Sequence, residues 1–371
     1  MTDRVLITGG AGFIGGHLAR RLLEEGYAVR VLDNMLPQVH GDCPWPGYLH
    51  PEVELVRGDI RDGAVVRRAL NGVNSVVHLT ARVGVGQSMY EISEYAAVNT
   101  VGTGVLLEAL LEHPVRRLVV ASSMSVYGEG LYVDAQGLPA TPAPRTRWQL
   151  AAKQWDPRDL ASAAIAPVPT PESKPPNLSS VYALTKYDQE RLCMMVGDAY
   201  HLPTVALRFF NVYGPHQALS NPYTGVLAIF AARLLNDRRP MIFEDGEQRR
   251  DFVSVHDVSR ACSLALESEP AVGEVINVAS GQSRSVNEVA AQLARTLGKE
   301  QLPAEVTGKY RVGDIRHCFA DISLAESLLG YRPEVTFDDG LAELAEWLEG
   351  QVVIDGVDRA ARELEARGLT V

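Results

Sequence analysis

Residues 8–15 read Thr8-Gly9-Gly10-Ala11-Gly12-Phe13-Ile14-Gly15, and they join the apolar run at 5–7 to an amphipathic segment that begins at Phe13. This pattern predicts a strand, a glycine turn and a helix. Gly9, Gly12 and Gly15 leave out side chains where the backbone bends tightly, approaches a pyrophosphate and packs the helix against the strand. The helix N-terminus offers free N–H groups to an anion. We therefore expect the turn, with Phe13 and Ile14, to bind a dinucleotide.

A second apolar run, 28–32, ends in Asp33-Asn34. This is about the distance from a glycine turn at which an acidic residue receives the 2′-hydroxyl of a ribose. A carboxylate at that point repels a 2′-phosphate. We therefore expect the chain to use NAD in preference to NADP.

Short apolar runs continue at 53–56, 75–79 and 118–121, with helical spacing over 95–111 between the last two. Strands that alternate with helices imply right-handed βαβ crossovers and a parallel sheet. We expect an α/β chain with a Rossmann-type doubly wound parallel sheet, whose ligands bind beyond the carboxyl ends of the strands. Residues at these ends are expected beside the cofactor, namely Asp59, Ile60, Leu79 and Ala81.

The 371-residue chain carries a formal net charge of -11 at pH 7. Binding to nucleic acid or to an anionic membrane needs clustered Lys and Arg, so neither is expected as a main partner. The four cysteines lie far apart, without a Cys-x-x-Cys pair, which favours a reducing compartment and no zinc site. The chain starts directly on a predicted strand and has no apolar run long enough to span a bilayer. We expect a cytoplasmic protein without a metal ion.

Two later stretches carry hydroxyl, phenol and ammonium groups. Residues 122–128 are rich in serine and follow the last of these predicted strands, and a later helix carries Tyr182 and Lys186 four residues apart, on one face. A tyrosine titrates near pKa ~10, and a nearby lysine cation favours its phenolate, which suits general acid/base chemistry. The plainer alternatives are a serine-rich turn and a solvated helix face. His78, inside an apolar run, is expected to be a buried structural histidine.

Together, these motifs resemble the extended short-chain dehydrogenase/reductase family, in its branch of nucleotide-sugar epimerases and dehydratases. The resemblance covers nearly the whole chain and implies an NAD-dependent enzyme that acts on a nucleotide-diphosphate sugar. It rests on the glycine turn, Val98-Asn99, Ser123, Tyr182, Lys186, Arg208-Phe209-Phe210-Asn211-Val212-Tyr213-Gly214-Pro215, Arg250-Asp251-Phe252-Val253, Asn277-Val278-Ala279 and Arg311-Val312-Gly313-Asp314-Ile315-Arg316-His317.

The resemblance implies roles for particular residues. Ser123, Tyr182 and Lys186 would form the catalytic group. The resemblance and the motifs described above together predict the residues that contact NAD. They are Gly9, Gly12, Phe13, Ile14, Gly15, Asp33, Asn34, Asp59, Ile60, Leu79, Ala81, Asn99, Ser122, Tyr182, Lys186 and Phe209. Contacts to the nucleotide sugar are expected from Val83, Ser123, Met124, Ser125, Asn211, Arg250, Arg311 and Asp314. The two arginines would supply the local positive charge that an acidic protein needs at a diphosphate.

The reaction that the resemblance implies depends on Ser123-Met124-Ser125. Sugar 4,6-dehydratases carry Thr-Asp-Glu there, and the related decarboxylases carry Glu where Ser125 stands. Without either acid, elimination of water lacks its general acid and base, whereas an epimerase needs a base, NAD and space for a ketone to turn. The resemblance therefore implies 4-epimerisation of a nucleotide-linked hexose, and it is closest to dTDP-L-rhamnose 4-epimerases, with other dTDP- or UDP-sugar 4-epimerases open. The alternatives are a 4-ketosugar reductase and a non-catalytic NAD-binding scaffold.

We expect an NAD-binding Rossmann domain over 1–214 and a smaller C-terminal α/β cap for the nucleotide sugar over 215–371, interleaved with it. Residues 130–178 hold many prolines and little periodicity, which indicates an insertion on the active-site side, either a lid or an ordered surface loop. Residues 343–368 are charged and largely helical in pattern. The resemblance implies a homodimer formed through the helices at 95–111 and 180–200.

Overall fold

The computed structural model describes residues 2–41, 43, 45–219, 221, 223, 225–310, 314–351 and 356–370. Its strands, in chain order, are β1 (Arg4–Thr8), β2 (Ala28–Asp33), β3 (Glu54–Arg57), β4 (Ser75–His78), β5 (Arg117–Ser123), β6 (Leu131–Val133), β7 (Pro139–Ala140), β8 (Ala166–Val168), β9 (Thr204–Phe209), β10 (Asn211–Tyr213), β11 (Met241–Ile242), β12 (Arg249–Ser254), β13 (Val275–Val278), β14 (Ser283–Ser285), β15 (Glu305–Val306) and β16 (His317–Cys318).

The helices alternate with these strands along much of the chain. In chain order they are α1 (Phe13–Glu24), α2 (Pro37–His40), α3 (Gly63–Leu70), α4 (Val85–Ser88), α5 (Ile92–Tyr95), α6 (Gly102–Glu112), α7 (Arg147–Ala151), α8 (Val181–Tyr200), α9 (Val226–Leu235), α10 (Val255–Glu267), α11 (Val286–Thr296), α12 (Ser323–Leu329), α13 (Phe337–Leu348) and α14 (Val357–Ala366). A π-helical turn, Ala96–Val101, joins α5 to α6, and a short 3-10 helix, Met124–Tyr127, follows β5.

Seven strands of the described chain form the main sheet, in the order β13-β9-β5-β4-β1-β2-β3, and each pairing is parallel. The chain adds strands first on one side of β1, through β2 and β3, and then on the other side, beginning with β4. This is the doubly wound Rossmann-type sheet that the sequence predicts. β3 begins one residue later than the predicted run, and β5 extends through Ser123.

Alternate side chains of β1 face opposite sides of the sheet, as the pleat of a strand requires. Val5 and Ile7 pack into one core with Leu18 of α1, while Leu6 between them packs into a second core with Leu106 of α6. Helices therefore cover both faces, which explains why β1 is an apolar run without polar alternation.

The C-terminal part of the chain contributes to the main sheet and also has a core of its own. β13 lies at the edge of the main sheet beside β9. The helices α9, α11 and α13 enclose a third core that contains Phe230, Leu293 and Leu341. β12 is parallel to β10 and β16 and antiparallel to β14. This arrangement sets the C-terminal elements against the carboxyl ends of the main strands.

Three predicted segments differ in detail from the structure. The insertion at 130–178 contains regular elements, because β6 pairs antiparallel with both β7 and β8. The predicted helix at 95–111 is divided by the π-helical turn. The helical pattern at 343–368 is two helices, α13 and α14, and residues 352–355 between them lie outside the described residues. Across the described ranges, no helix is both long enough and apolar enough to cross a membrane.

Candidate active site

A cavity of about 690 Å³ lies at the carboxyl ends of the main strands. Its walls include the ends of β1, β2, β5 and β9 together with residues of α9, β11 and β12 from the C-terminal part. Open α/β sheets bind ligands at this edge, next to the strand at which the order reverses. The cavity therefore has the location predicted for the cofactor and the substrate.

The glycine turn forms one end of the cavity. Gly9 has a φ of 69°, in the left-handed region, and a Cβ there would lie 2.9 Å from the backbone nitrogen of Thr80. A Cβ on Gly15 would lie 2.5 Å from the Cα of Gly10. α1 begins at Phe13, and within the described residues no side chain caps it, so its first N–H groups remain for a ligand. A side chain at either glycine would collide with backbone and displace the turn, whose free N–H groups fit a pyrophosphate.

The Asp33 carboxylate is fixed at the end of β2. Its Oδ2 accepts a hydrogen bond from the backbone nitrogen of Ala11 at 3.1 Å, and its Oδ1 accepts one from Met35 at 2.9 Å. His40 Nε2 lies 3.6 Å from Oδ1. A carboxylate held on the cavity wall in this way suits a ribose hydroxyl and repels a 2′-phosphate.

The other predicted cofactor residues fall into two groups. Those on the cavity wall are Gly9, Gly12, Phe13, Ile14, Gly15, Asn34, Ile60, Leu79, Ala81, Ser122, Tyr182, Lys186 and Phe209. Asn99 and Asp59 are absent from the described wall. The buried Asn99 amide donates to Thr185 Oγ1 and accepts from the backbone nitrogen of Arg82. The Arg61 guanidinium lowers the pKa of Asp59 to about 2. Both side chains hold neighbouring segments in place, and their contact with the cofactor stays a prediction.

Ser123 and Tyr182 meet in the cavity. Ser123 ends β5, and its Oγ accepts hydrogen bonds from the backbone nitrogen and the hydroxyl of Ser125, at 3.2 and 2.9 Å. Ser123 therefore retains its own hydroxyl proton as a donor. Burial raises the pKa of Tyr182, and a hydrogen bond from Ser123 opposes that effect. Ser123 is thus placed to stabilise a tyrosine phenolate.

Lys186 lies one turn after Tyr182 on α8 and lines the same cavity. Its Nζ donates to the carbonyl of Ala121 and to Gln189 Oε1, both at 2.7 Å. Burial lowers the pKa of Lys186 to about 8. The described hydrogen bonds of the ammonium go to Ala121 and Gln189, and burial is the largest effect on the pKa of Tyr182.

The register of α8 is fixed by buried polar contacts. Glu190 accepts two hydrogen bonds from the Arg208 guanidinium, at 2.9 and 2.7 Å, and a third from Ser122 Oγ at 2.6 Å. Ser180 caps the start of the helix by accepting from the backbone nitrogen of Ala183. A paired charge of this kind ties α8 to β9 and β5. The two catalytic candidates on α8 are therefore held at a set height above the strand ends.

His78 is buried and absent from the described cavity wall. Its ring nitrogens contact Thr8 Oγ1 at 2.6 Å and Thr103 Oγ1 at 2.9 Å, and Gln189 Nε2 lies 3.1 Å from its Nε2. Burial and then the Lys186 charge lower the pKa of His78 to about 3. It is the buried structural histidine that the sequence predicts, and through Gln189 it supports Lys186.

The C-terminal side of the cavity, which we call the substrate half, carries both a cation and unpaired acceptors. Arg250 lines it, with its Nη1 and Nη2 atoms held by backbone carbonyls. Asn211 Oδ1 is buried and has no hydrogen-bond partner among the described residues, and the same is true of Gln248 Oε1. Both side chains line the cavity. Buried acceptors without partners indicate a ligand that brings donors.

The remaining predicted substrate residues are on the described wall, with one exception. Val83, Ser123, Met124, Ser125 and Asp314 line the cavity. Met124 packs with the apolar group around Val126 and Phe210, which makes that part of the wall apolar. Arg311 lies outside the described residues.

The sequence gives no signal for several residues of the cavity wall. Gln248 stands two residues before Arg250 and gives no signal of its own. Ala360 and Leu364 of α14 line the substrate half, although they are far along the chain from every motif. Glu363 of the same helix accepts a hydrogen bond from Tyr223 Oη at 2.9 Å. Their amphipathic spacing predicts a helix, but nothing in the sequence predicts which surface it covers.

The parallel sheet, the glycine cradle and the grouped serine, tyrosine and lysine are those of a Rossmann-fold enzyme that works with a dinucleotide. The chain belongs to the NAD dependent epimerase/dehydratase family, whose sequence profile matches residues 5–154 and 160–279. In the described part of the chain, no group of three histidine, cysteine, aspartate or glutamate side chains is arranged to hold a metal ion.

Curated relatives and solved structures agree with this assignment. The chain is 37% identical to the dTDP-L-rhamnose 4-epimerase of Burkholderia thailandensis, over 93% of this chain and 94% of that one. It is similar in structure to the UDP-glucose 4-epimerase of Thermotoga maritima solved with UDP-glucose (TM-score 0.76, 29% identity, 93% and 98% coverage). The Thermus thermophilus UDP-glucose 4-epimerase in complex with NAD gives a TM-score of 0.74 at 30% identity, with 94% and 100% coverage. The protein is an enzyme of the epimerase type, and its cofactor is NAD.

Proposed function

We propose that the enzyme inverts C4 of a hexose carried on a nucleoside diphosphate, through a transient 4-keto sugar. The observation that carries this proposal is the content of the cavity around Tyr182. Ser123 and Lys186 accompany the phenol, while Met124 and Ser125 place a thioether and a hydroxyl where the family's dehydratases have carboxylic acids. The site thus has an acid/base for the C4 hydroxyl and lacks, at those two positions, the groups that would expel a second oxygen.

In the proposed reaction, Tyr182 removes the proton of the C4 hydroxyl as the C4–O bond becomes a carbonyl. Ser123 donates a hydrogen bond to the same oxygen or to the phenolate, and the Lys186 cation stabilises the negative charge that develops. After the keto sugar has turned over, Tyr182 returns the proton to oxygen on the inverted carbon. The apolar side chain of Met124 gives the turning sugar a wall without hydrogen bonds to release.

NAD, when bound, supplies the acceptor for the C4 hydride and the donor that returns it. The glycine turn would hold its pyrophosphate and Asp33 its ribose. Ile60, Leu79, Ala81 and Phe209 would line the rest of that half of the cavity. Because the same hydride leaves and returns, each turnover regenerates NAD, and the enzyme does not need to exchange its cofactor.

The substrate half suits a diphosphate joined to a base and a sugar. Arg250 offers a guanidinium whose direction is set by backbone carbonyls. Asn211 Oδ1 and Gln248 Oε1 are acceptors in need of donors, and sugar hydroxyls or a pyrimidine N–H supply them. We propose that residues 215–371 act as the cap that holds the nucleotide. The curated relative at 37% identity favours a dTDP-hexose as the substrate.

The reaction type can be tested on the protein as purified. We expect it to carry bound nicotinamide and to interconvert C4 epimers, measured by NMR on dTDP- and UDP-hexoses, without added NADH.

Asp33→Ala removes the carboxylate proposed for the ribose and is expected to weaken NAD retention about tenfold. The melting temperature is measured on the same protein, because Asp33 is buried and its carboxylate also accepts from the backbone nitrogens of Ala11 and Met35.

Two outcomes would contradict this proposal. Oxidation of one added NADH for each 4-keto nucleotide sugar reduced, with no interconversion of the hexoses themselves, would identify a 4-ketosugar reductase. Retained NAD with no conversion of any nucleotide hexose would instead favour a scaffold that keeps the fold. An unchanged affinity for NAD in the Asp33→Ala protein would remove that carboxylate from the cofactor site.

We further propose a homodimer formed through the helices at 95–111 and 180–200. Large apolar side chains are exposed on these helices, namely Val101, Leu111, Leu184, Met195 and Tyr200. The expected solution mass is twice the chain's 40.4 kDa. Leu184→Glu with Met195→Glu should reduce it to that of one chain, whereas Leu160→Glu, at an exposed site on the insertion, should leave it unchanged. A parent protein with the mass of one chain would contradict the proposal.

A further inference from the structure

The backbone of residues 314–317 is held in place by charged side chains. Arg145 Nη2 donates to the carbonyl of Asp314 at 2.9 Å. Arg250 then donates to the next two carbonyls, at 2.6 and 2.8 Å. Two arginines therefore occupy three successive carbonyl oxygens, and Arg250 takes its direction from two of them.

The amides of the same segment are also occupied. Glu129 Oε1 accepts from the backbone nitrogen of Arg316 at 2.6 Å, and Glu129 Oε2 accepts from that of His317 at 3.1 Å. Charge-assisted hydrogen bonds of this kind are among the strongest that a protein makes. A segment bound from both sides has one well-defined position, and so do the carbonyls that hold Arg250.

Beside Asp156 and Gly130, Arg145 is one of the residues of the insertion at 130–178 that contact this segment. Its Nη1 donates to Glu244 Oε1 at 2.7 Å and to the carbonyl of Trp155 at 3.1 Å. Both charges are buried, with 8% and 2% of their side chains exposed. Glu244 also accepts from Arg316 Nη1 at 3.1 Å. The planar guanidinium thus joins the insertion, the β11 region and residue 314, a geometry that lysine does not reproduce.

The insertion does not itself reach the cavity. No residue from 130 to 178, all of them described, lies on the described cavity wall, although the segment is ordered and partly buried. Some of its polar contacts lead to Glu244, Asp314 and Arg316. Others, such as that of Lys174 Nζ with the carbonyl of Tyr127, lead to the short helix that follows Ser123. One route from the insertion to the site therefore leads through the residues that hold Arg250.

We propose that Arg145 is a positioning residue for the substrate. It fixes the carbonyl of Asp314 and, through the backbone that follows, the direction in which the Arg250 guanidinium faces the cavity. The inference rests on the proposed function, in which Arg250 binds the diphosphate. It gives the insertion a role in substrate affinity without contact between the insertion and the substrate.

Arg145→Met keeps the length of the aliphatic side chain and removes the guanidinium. The carbonyl of Asp314 then loses its hydrogen bond from Arg145. The carbonyls of the next two residues become less fixed, and the Arg250 guanidinium that they hold becomes less fixed with them. We expect nucleoside diphosphate to bind about tenfold more weakly, as for the loss of one charge-assisted contact. The value of kcat should stay within about threefold, since Tyr182 and Ser123 are untouched. The NAD content should not change.

The measurements are calorimetric titrations with dTDP and with UDP, together with KM, kcat and bound nicotinamide. Arg147→Met is the matched control, since Arg147 is an exposed residue of the same insertion. Arg145→Lys keeps the charge and should recover only part of the affinity. Arg250→Ala and the double variant Arg145→Met/Arg250→Ala complete a double-mutant cycle. If Arg145 acts through Arg250, the double variant should bind no more weakly than Arg250→Ala alone.

The outcomes separate this inference from the proposed function. Additive effects in the cycle, or unchanged nucleotide affinity in Arg145→Met together with a lower melting temperature, would show that Arg145 only stabilises the fold. Unchanged affinity in Arg250→Ala would overturn the proposed substrate site and this inference with it. If Arg145→Met does not fold, Arg145→Lys takes its place in the same cycle, and affinity equal to the parent's would overturn the inference.

Discussion

Tyr182→Phe is expected to lower kcat by roughly 10²- to 10⁴-fold, the usual contribution of a general acid/base. The substitution removes one oxygen and keeps the ring, which packs edge-on against Tyr95 at 6.5 Å between centroids. The fold and the NAD content should therefore persist. The measurement is single-turnover conversion of a nucleotide hexose by NMR, with bound nicotinamide quantified in the same sample.

Tyr187→Phe is the matched control for this variant. Tyr187 lies on the same helix and is half-buried, but it packs in the group around Met124 and Val126 and is absent from the described cavity wall. The Tyr187→Phe protein should have the same kcat as the parent. A Tyr182→Phe protein with undiminished kcat would remove the phenol from the mechanism, whereas equal losses in both variants would point to a general effect on α8.

The fold is predictable from the sequence because its signals are local. The glycine turn, the apolar runs and Asp33 each need only a few neighbouring residues to be recognised, and each predicted strand lies within two residues of an observed one. The edge strand β13 is different, since it pairs with β9 across about seventy residues of chain. Its place in the main sheet depends on packing that no short window contains.

The candidate site shows the same division. The spacing of Tyr182 and Lys186 predicts that they share a helix face, and the family resemblance implies that Ser123 joins them. The structure places all three on one cavity wall. Asn99 and Asp59, also predicted to contact the cofactor, are absent from the described wall, and their polar atoms contact Arg82, Thr185 and Arg61. A polar residue next to a motif can bind the ligand or can form hydrogen bonds with neighbouring protein segments, and its residue type does not distinguish the two.

Long-range contacts account for what the sequence does not predict. Arg145 meets Asp314 across 169 positions, and Leu364 reaches the cavity from a C-terminal helix. Neither residue belongs to a spacing pattern, because the contact is formed by the tertiary fold. The spacing of Tyr182 and Lys186 along a helix likewise does not reveal that both groups are buried or that Ala121 and Gln189 accept from the lysine.

Lys186→Met is expected to lower kcat/KM about 10²-fold, because it removes a preorganised charge from the wall beside Tyr182. It also leaves the carbonyl of Ala121 and Gln189 Oε1 without the ammonium that donates to both. Lys174→Met is the matched control: burial lowers the pKa of Lys174 too, and its Nζ donates to the carbonyl of Tyr127, but Lys174 is absent from the described wall. That control should keep its activity.

The pH profile distinguishes a charge effect from a packing effect in the Lys186 variant. Burial lowers the pKa of Lys186 to about 8, so the ammonium is present below that pH and is lost as the pH rises through it. If catalysis uses the charge, kcat/KM of the parent should decline on the alkaline side of about pH 8, and Lys186→Met should lack this decline while remaining slow throughout. A variant that is slow but keeps the alkaline decline would assign the titration to another group. Lys186 would then matter through its contacts with Ala121 and Gln189 and not through its charge.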